Sequence, residues 1–168
     1  LKNIVQKNDA LEVLVNQAAI YPDGRIVPVI LKGITAQQSI LNLPTNEFLK
    51  YNGTNIPIMI GKGMAAYARL DIGDTFTIRW MDSNNAYDAS EGEIIHIMDS
   101  GNFKIDMGHI WVPLNIAQHI LSMPDESTYV VYKQGINEID NSSTWIKRDV
   151  EYLVRDMKAI INQDRPNA

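Results

Sequence analysis

The chain has 168 residues, of which 45% are hydrophobic and 21% are charged, a composition typical of a folded protein rather than a disordered one. Fifteen Lys and Arg against 20 Asp and Glu give a net charge of −5, so nucleic acid is a poor partner because an acidic surface repels the phosphate backbone. There is no cysteine, which excludes thiol catalysis, zinc–cysteine sites and iron–sulfur clusters.

The length suits one domain or two small subdomains that share a core. No window approaches the ~18 consecutive apolar residues of a membrane span, and no secretory signal pattern is visible. The first residue is Leu rather than Met, which fits either a processed product or a domain excised from a longer chain. Both interpretations stay open.

The first predicted element is a β-hairpin. Two runs rich in Val, Ile and Leu, residues 10–21 and 25–34, flank the sequence Pro-Asp-Gly at 22–24. Proline presets φ for a turn and glycine tolerates positive φ after it, so these three residues favour a tight turn. Pro28 lacks a backbone N–H, which predicts that the second strand lies at a sheet edge.

Short helical pieces and a buried strand come after the hairpin. Thr35 is a candidate N-cap for a helix over 36–41, and residues 45–51 predict a second short helical piece. The apolar run at 56–60 predicts a buried strand. Residues 64–70 then predict a two-turn helix.

The next part of the chain is rich in predicted strands. Apolar and polar side chains alternate over 74–80, which predicts a strand with one buried face. The polar stretch 82–92 is interpreted as a loop. Further strands are predicted at 93–98, 109–114 and 128–133.

Two helices are predicted among and after these strands. Asn115 is a candidate N-cap for a short helix over 116–121. Thr144 is a candidate N-cap for the last helix. Apolar side chains recur along this helix at helical spacing: Ile146, Val150, Leu153, Val154, Met157, Ile160 and Ile161. Mixed charges on its other face favour docking on a sheet over lying on a membrane.

One segment imitates a dinucleotide-binding fingerprint. Gly61, Gly63 and Ala66 form the pattern G-x-G-x-x-A between an apolar strand and a helix. The fingerprint needs a helix long enough to return the chain to a parallel strand. Here the helix ends before Gly73 and the next strand begins at Asp74, so we expect turn-forming glycines rather than a nucleotide site.

A second segment imitates a calcium-binding loop. Oxygen-bearing residues fall at five of the ligand positions of an EF-hand frame, namely Asp82, Asn84, Asp88, Ser90 and Glu93. Ala86 supplies no ligand, and Tyr87 stands where the frame needs glycine for its turn. We therefore expect a solvated loop and no calcium.

The remaining candidates for chemistry are scattered. The three histidines, His96, His109 and His119, share no metal-binding spacing, and His96 is expected to be a hydrogen-bonded, packed residue of a strand. Asp71 and Asp74 could pair as acid and base, but Asp beside a turn usually accepts bonds from local backbone N–H groups. No catalytic, cofactor-binding or metal-binding residue is predicted.

Several segments of the chain resemble those of one known group of protein domains. The segment 58–78, which includes the sequence IGKGMAAYARLDIGD, resembles a stretch of the periplasmic core domain of the MacB, FtsX and LolC/LolE group of ABC-transporter permeases. Residues 29–34 are similar to the strand that precedes this stretch in that group. Residues 94–98, 103–106 and 111–118 are similar to the segments on its C-terminal side in the same group.

The resemblance implies an α+β fold with two lobes. One discontinuous lobe would be built from residues 1–43 and 127–168, and an inserted, mainly β lobe from 44–126. Gly61, Gly73 and Asp74 would shape turns, and no functional residue of the group transfers to a named position. The last helix would dock beside the hairpin, and the two chain ends would lie on one side.

The implied function is that of a non-catalytic extracytoplasmic domain of a multi-pass membrane protein. It would use no cofactor and would transmit motion driven by a separate ATPase subunit or domain. Its other partners would be a second permease copy or a related subunit, and a cargo or extracytoplasmic protein, in lipoprotein release, export or efflux. Two alternatives stay open: a free-standing secreted or periplasmic binding protein, and a small nucleotide-binding enzyme.

Overall fold

The computed structural model describes residues 9–99 and 107–133, all within the first of the chain's two units, Leu1–Ile136. Strands dominate and the helices are short, so the predicted α+β class is confirmed at this coarse level. The described elements are β1 (Ala10–Tyr21), β2 (Val27–Ile34), β3 (Ile56–Gly61), α1 (Lys62–Ala68), β4 (Thr75–Met81), β5 (Tyr87–Met98), β6 (His109–Pro113), α2 (Leu114–Ile120), β7 (Tyr129–Tyr132) and 3-10 turns at Pro22–Gly24 and Thr45–Lys50.

Six of these strands close into a barrel. Neighbours are in the order β2, β6, β3, β5, β4 and β1, and β1 pairs back onto β2. The predicted hairpin of β1 and β2 is confirmed, with Val13 opposite Ile34 and Ile20 opposite Val27. The pairs β2–β6 and β3–β5 are parallel, and the other pairs of the ring are antiparallel. β7 pairs with the first residues of β1, outside the ring.

Alternating side chains fill the barrel. On β4, the even-numbered residues Phe76, Ile78 and Trp80 are buried and the odd-numbered ones are not, as the alternation predicts. Burying one large aliphatic or aromatic side chain contributes about 1.5–3 kcal/mol, so this inner cluster is a main source of stability. Its large members include Leu14, Ile20, Leu31, Ile58, Ile60, Met64, Ile78, Ile94, Ile110 and Leu121.

A second apolar cluster lies on the outside of the barrel. The connection between β2 and β3 passes over it and contributes the buried Phe48. Met59 of β3 and Trp111 of β6 face this connection rather than the interior, because neighbouring residues of a strand point to opposite faces. The outer cluster also contains Leu11, Val13, Ile34 and Met98.

The two short helices lie at opposite ends of the barrel. α1 comes directly after β3 and α2 directly after β6, and these two strands are antiparallel neighbours. The helices therefore begin at opposite rims. Met64 and Ala68 of α1, and Ala117 of α2, all belong to the inner cluster, so each helix closes one end of the barrel.

Asp9 and Lys133, which flank β1 and β7, lie side by side. The Lys133 N–H donates to the Asp9 carbonyl at 3.0 Å, and Ala10 pairs with Tyr132. α2 lies at this same rim, because β6 runs parallel to β2 and so ends where β1 begins. We call this rim the near pole, and the opposite rim, with the 22–24 turn and α1, the far pole.

The predicted helix over 36–41 is wrong. This stretch is irregular, because the buried Gln38 side chain accepts hydrogen bonds from the backbone N–H groups of Ile40 and Leu41. A side chain that bonds nearby amides competes with the helix for them. The next predicted piece does form, as the 3-10 turn Thr45–Lys50.

The predicted loop over 82–92 is too long. β5 begins at Tyr87 and pairs with β4 from Met81 onward, which leaves only residues 82–86 as the turn. The start of this strand carries no signal in the sequence because its first five residues are all exposed. With neither face buried, no alternation of apolar residues marks them as a strand.

Two further local predictions are wrong. The N-cap of α2 is Pro113 rather than Asn115, and the cap side chain makes no hydrogen bond to the helix. β2 is also not an edge strand, since β1 and β6 flank it. Pro28 is tolerated because β6 pairs only from Ile30 onward, so that Pro28 lies opposite Ala19 of β1 alone.

The division into two lobes stays a prediction. β1 and β2 come from the predicted first lobe, 1–43, and β3 to β6 come from the predicted central lobe, 44–126. All six strands share one barrel. The segment 103–106 and the predicted helix that begins after Thr144 lie outside the described residues.

Candidate functional site

The segment that imitates a dinucleotide site has a different geometry. Gly61 ends β3 and is the N-cap of α1, and that helix has only seven residues. β3 is parallel to β5 while β4 is antiparallel to it, so the strands on either side of α1 run in opposite directions. The parallel strand–helix–strand unit that holds a dinucleotide is therefore not formed here. Gly63 is buried and Ala66 is exposed.

The segment that imitates a calcium loop is a turn that leads into a strand. Asp82 Oδ1 accepts hydrogen bonds from the N–H groups of Asn84 and Ala86, each at 2.9 Å. These bonds, that from Ala86 foremost, lower the pKa of Asp82. Asp88 and Glu93 lie on β5, where five residues of extended chain separate them by about 17 Å, so their carboxylates do not converge on one ion.

Asp82 also helps to hold the turn against α2. Its Oδ2 accepts a hydrogen bond from Ser122 Oγ at 3.4 Å. Beside it, the Ser83 N–H donates to the Leu121 carbonyl at 3.0 Å, and Trp80 Nε1 donates to the Ile120 carbonyl at 2.8 Å. The β4–β5 hairpin thus satisfies carbonyl groups at the end of α2, which otherwise lack partners.

The histidines do not meet. His96 lies on β5, His109 begins β6 and His119 lies on α2, so the last two stand toward opposite poles. In the part of the chain that the structure describes, no group of three or more His, Asp or Glu is arranged to hold a metal ion. Asp74 Oδ2 accepts a hydrogen bond from the Asp71 N–H at 2.7 Å, as expected for Asp beside a turn.

A β-bulge brings His96 to the outside of the barrel. Ile58 pairs with Ile94 and Met59 pairs with His96, so Ile95 is an extra residue in β5. His96 is half-buried near Glu47. The Lys50 ammonium, which donates to Glu47 at 2.7 Å, lowers the pKa of Glu47, and His96 adds a smaller effect in the same direction.

A tyrosine fastens the outer connection to the same strand. Tyr51 Oη donates a hydrogen bond to Glu93 Oε2 at 2.8 Å, and Asn55 Nδ2 approaches the same oxygen at 3.5 Å. Desolvation, and then the bond to Glu93, raise the pKa of Tyr51. These bonds fasten the connection between β2 and β3 to β5.

The far pole exposes three large apolar side chains. Ile26, Tyr67 and Ile72 are 67%, 59% and 63% exposed. Ile26 lies just after the 22–24 turn, Tyr67 lies on α1, and Ile72 lies between α1 and β4. Arg25 Nη2 joins the turn to α1 by donating to the Ala68 carbonyl at 2.6 Å. Large contiguous apolar patches are characteristic of surfaces that contact other proteins, and these three residues are the candidates for such a surface at the far pole.

Strained backbone lies at both poles. Asp23 and Arg69 at the far pole adopt positive φ angles of 50° and 56°, and Asn85 and Ser122 at the near pole adopt 61° and 55°. Such angles cost of order 1 kcal/mol each at residues other than glycine. The sequence pattern does not distinguish Ile26, Tyr67 or Ile72. Ile26 belongs to the apolar run 25–34 and Tyr67 to the predicted helix 64–70, and the bond of the turn to α1 shows that they share a rim.

No family model matches the chain, and no curated protein matches it either. Among solved structures, it is similar to the extracellular domain of the noncanonic ABC-type transporter YknZ from Gram-positive bacteria, with a TM-score of 0.50 and 14% sequence identity. The match covers 77% of this chain and 66% of that one, so the chain spans slightly less than two thirds of YknZ's domain.

At this identity the likeness shows the fold alone. The predicted resemblance to extracytoplasmic domains of ABC transporters is therefore confirmed at the level of architecture, and the narrower assignment to the MacB, FtsX and LolC/LolE group stays a prediction. Among residues 9–99 and 107–133, no helix has both the length and the apolar character of a membrane span.

Proposed function

We propose that this chain is the extracytoplasmic domain of an ABC-transporter permease of the MacB, FtsX and LolC/LolE type. It would be non-catalytic and would transmit motion, driven by ATP hydrolysis in a separate subunit or domain, to a cargo or partner protein. The likeness of its barrel to the YknZ extracellular domain supports this assignment.

The arrangement of the near pole is the observation that carries the proposal. Asp9 and Lys133 are hydrogen-bonded neighbours through their backbones, and their side chains also approach at 3.4 Å. A domain inserted between two membrane spans must return its chain to the membrane that it left. The chain enters the described strands at Asp9 and leaves them at Lys133 on one rim, which fits this requirement. The far pole then points away from the membrane, and its exposed Ile26, Tyr67 and Ile72 are available to a partner.

The location can be tested with one cysteine, because the chain contains none. The parent open reading frame would carry Asn46→Cys, at an exposed position, and intact cells would be treated with a membrane-impermeant maleimide. We expect labelling without lysis, and recovery of the labelled protein in the membrane fraction. The parent protein without the substitution is the control for labelling elsewhere.

Two other outcomes would contradict the proposal. Labelling only after lysis would show a cytoplasmic domain, as the nucleotide-enzyme alternative requires. Labelling in intact cells with the protein recovered entirely in the soluble extracytoplasmic fraction would favour the free-standing binding protein.

A further inference from the structure

Among residues 9–99 and 107–133, the first half of β5 has a pairing partner along one edge only. Residues 87–91 lie opposite β4, from Met81 to Thr77, whereas β3 pairs with β5 only from Gly92 onward. All five side chains of this half-strand are exposed. The result is an open sheet edge about 17 Å long, bounded by the 82–86 turn at one end and by the start of β3 at the other.

The alternation of antiparallel bonds shows which backbone groups face this open edge. The Asp82 N–H donates to the Ala86 carbonyl, and the Ile94 N–H donates to the Asp74 carbonyl, both at 2.9 Å. Even-numbered residues of β5 therefore exchange their bonds with β4, since bonded and non-bonded pairs alternate. The N–H and C=O groups of Tyr87, Ala89 and Glu91 then point outward, away from β4.

One of these outward groups is covered by a side chain of the same edge. Asp88 Oδ1 accepts a hydrogen bond from the Ala89 N–H at 2.8 Å. In the described part of the chain, no other bond to the outward groups of Tyr87 and Ala89 is present, whereas the pairing of Ile56 with Gly92 directs the Ile56 N–H to the Glu91 carbonyl. A carboxylate can leave a backbone amide if a cation draws it away, so Asp88 is a removable cover.

The charge of the open edge indicates the charge of the segment that would bind there. Asp88 and Glu91 are acidic, and residues 87–91 include no Lys or Arg. Arg79 lies one strand behind, with its guanidinium 4.7 Å from the ring centroid of Tyr87. We infer that this edge binds an extended segment of another protein that carries Lys or Arg and adds to the sheet as a further strand. Backbone bonds would hold the segment, and its cations would draw Asp88 off the Ala89 amide.

A second copy of this chain is the less suitable occupant. An antiparallel pair of these edges would bring two acidic strands together, and like charges across a sheet are destabilising. Charged side chains on an open edge oppose pairing with identical edges. The proposed strand-binding site does not depend on the transporter assignment. Either proposal can therefore be refuted while the other holds.

Fluorescence anisotropy of labelled peptides, titrated with the whole 168-residue chain, tests the inference. The probes are short peptides of alternating Lys and Val, of alternating Glu and Val, and of Lys and Val with every second amide N-methylated. We expect the Lys peptide to bind roughly 3- to 10-fold more tightly than the Glu peptide. The methylated peptide should not bind measurably, because strand addition needs its N–H groups. Absence of binding by the Lys peptide overturns the proposal.

Variants separate strand addition from simple charge attraction. Ala89→Pro removes one outward N–H while leaving the bonds to β4, and should weaken Lys-peptide binding about five-fold. Ala89→Val keeps the N–H and should leave binding unchanged. If Ala89→Pro fails to fold, the double variant Asp88→Lys with Glu91→Lys replaces it and should reverse the preference toward the Glu peptide.

Two results would refute the site. Equal binding of the methylated and unmethylated Lys peptides would show electrostatic attraction without strand pairing. Dimerisation of the wild-type chain in sedimentation equilibrium, lost in Ala89→Pro, would show that a second copy occupies the edge instead.

Discussion

Gly33→Ala should lower the free energy of unfolding by about 3 kcal/mol, the upper part of the range for overpacking a core. Gly33 lies on β2 where α2 crosses it, and an added Cβ would collide with the Cβ of Ala117 and come within 3.4 Å of the Leu114 Cα. The neighbours are a helix backbone and a fully buried methyl group, so neither can move aside cheaply. Urea denaturation monitored by circular dichroism measures the effect.

A second substitution supplies the control. Ala117→Gly removes the methyl group that the new side chain meets, at a cost of about 1 kcal/mol for glycine inside a helix. The double variant should therefore be more stable than Gly33→Ala alone, with a coupling of at least about 1 kcal/mol. Additive effects, or a Gly33→Ala variant as stable as the wild type, would show that α2 does not pack closely on β2.

Gln38→Leu should lower the free energy of unfolding by about 2–4 kcal/mol, because part-buried backbone groups of Ile40 and Leu41 lose the hydrogen bonds that the Gln38 side chain makes to them. The Gln38 side chain is 8% exposed. Its Oε1 accepts from the Ile40 and Leu41 N–H groups at 2.8 Å, and its Nε2 donates to the Leu41 carbonyl at 3.0 Å and to Thr45 Oγ1 at 3.3 Å. Leucine fills a similar volume and makes none of these bonds.

The adjacent glutamine is a matched control for this substitution. Gln37 is exposed, so Gln37→Leu should change the stability by less than about 0.5 kcal/mol. Both variants would be compared by the midpoint of urea denaturation. Equal midpoints would show that Gln38 does not organise the connection over the outer cluster.

The sequence predicts elements well where burial on one face leaves a pattern. Strand β4 was predictable because Phe76, Ile78 and Trp80 alternate with exposed residues. The start of β5 was not predictable, since residues 87–91 are exposed on both faces. The connection after β2 was mispredicted because Gln38 bonds amides that a local pattern assigns to a helix.

Barrel closure is not predictable from local sequence patterns. It depends on β1 meeting β4, with Ala18 opposite Trp80, a pairing between residues far apart in the chain. The candidate surfaces result from that closure. The exposed apolar residues of the far pole share a rim because the 22–24 turn contacts α1. The edge of β5 is open because β3 pairs with β5 only from Gly92 onward. By contrast, the lack of a parallel strand–helix–strand unit at the G-x-G segment among the described residues could be foreseen from the short helix after Gly63.

The most direct test of the central claim measures which pole faces the membrane and whether ATP moves it. Single cysteines would replace Asn84, in the turn toward the near pole, or Asp71, at the far pole, both of them exposed. Each would carry a donor dye, and the parent transporter with its ATPase would be reconstituted in a bilayer that contains acceptor lipids.

We predict stronger energy transfer to the bilayer from the dye at position 84 than from the dye at 71, because the chain enters and leaves the described strands at the near pole, at Asp9 and Lys133. We also predict that adding ATP changes the transfer from at least one of the two dyes. Stronger transfer from position 71, or transfer that ATP leaves unchanged at both positions, would contradict the proposed function.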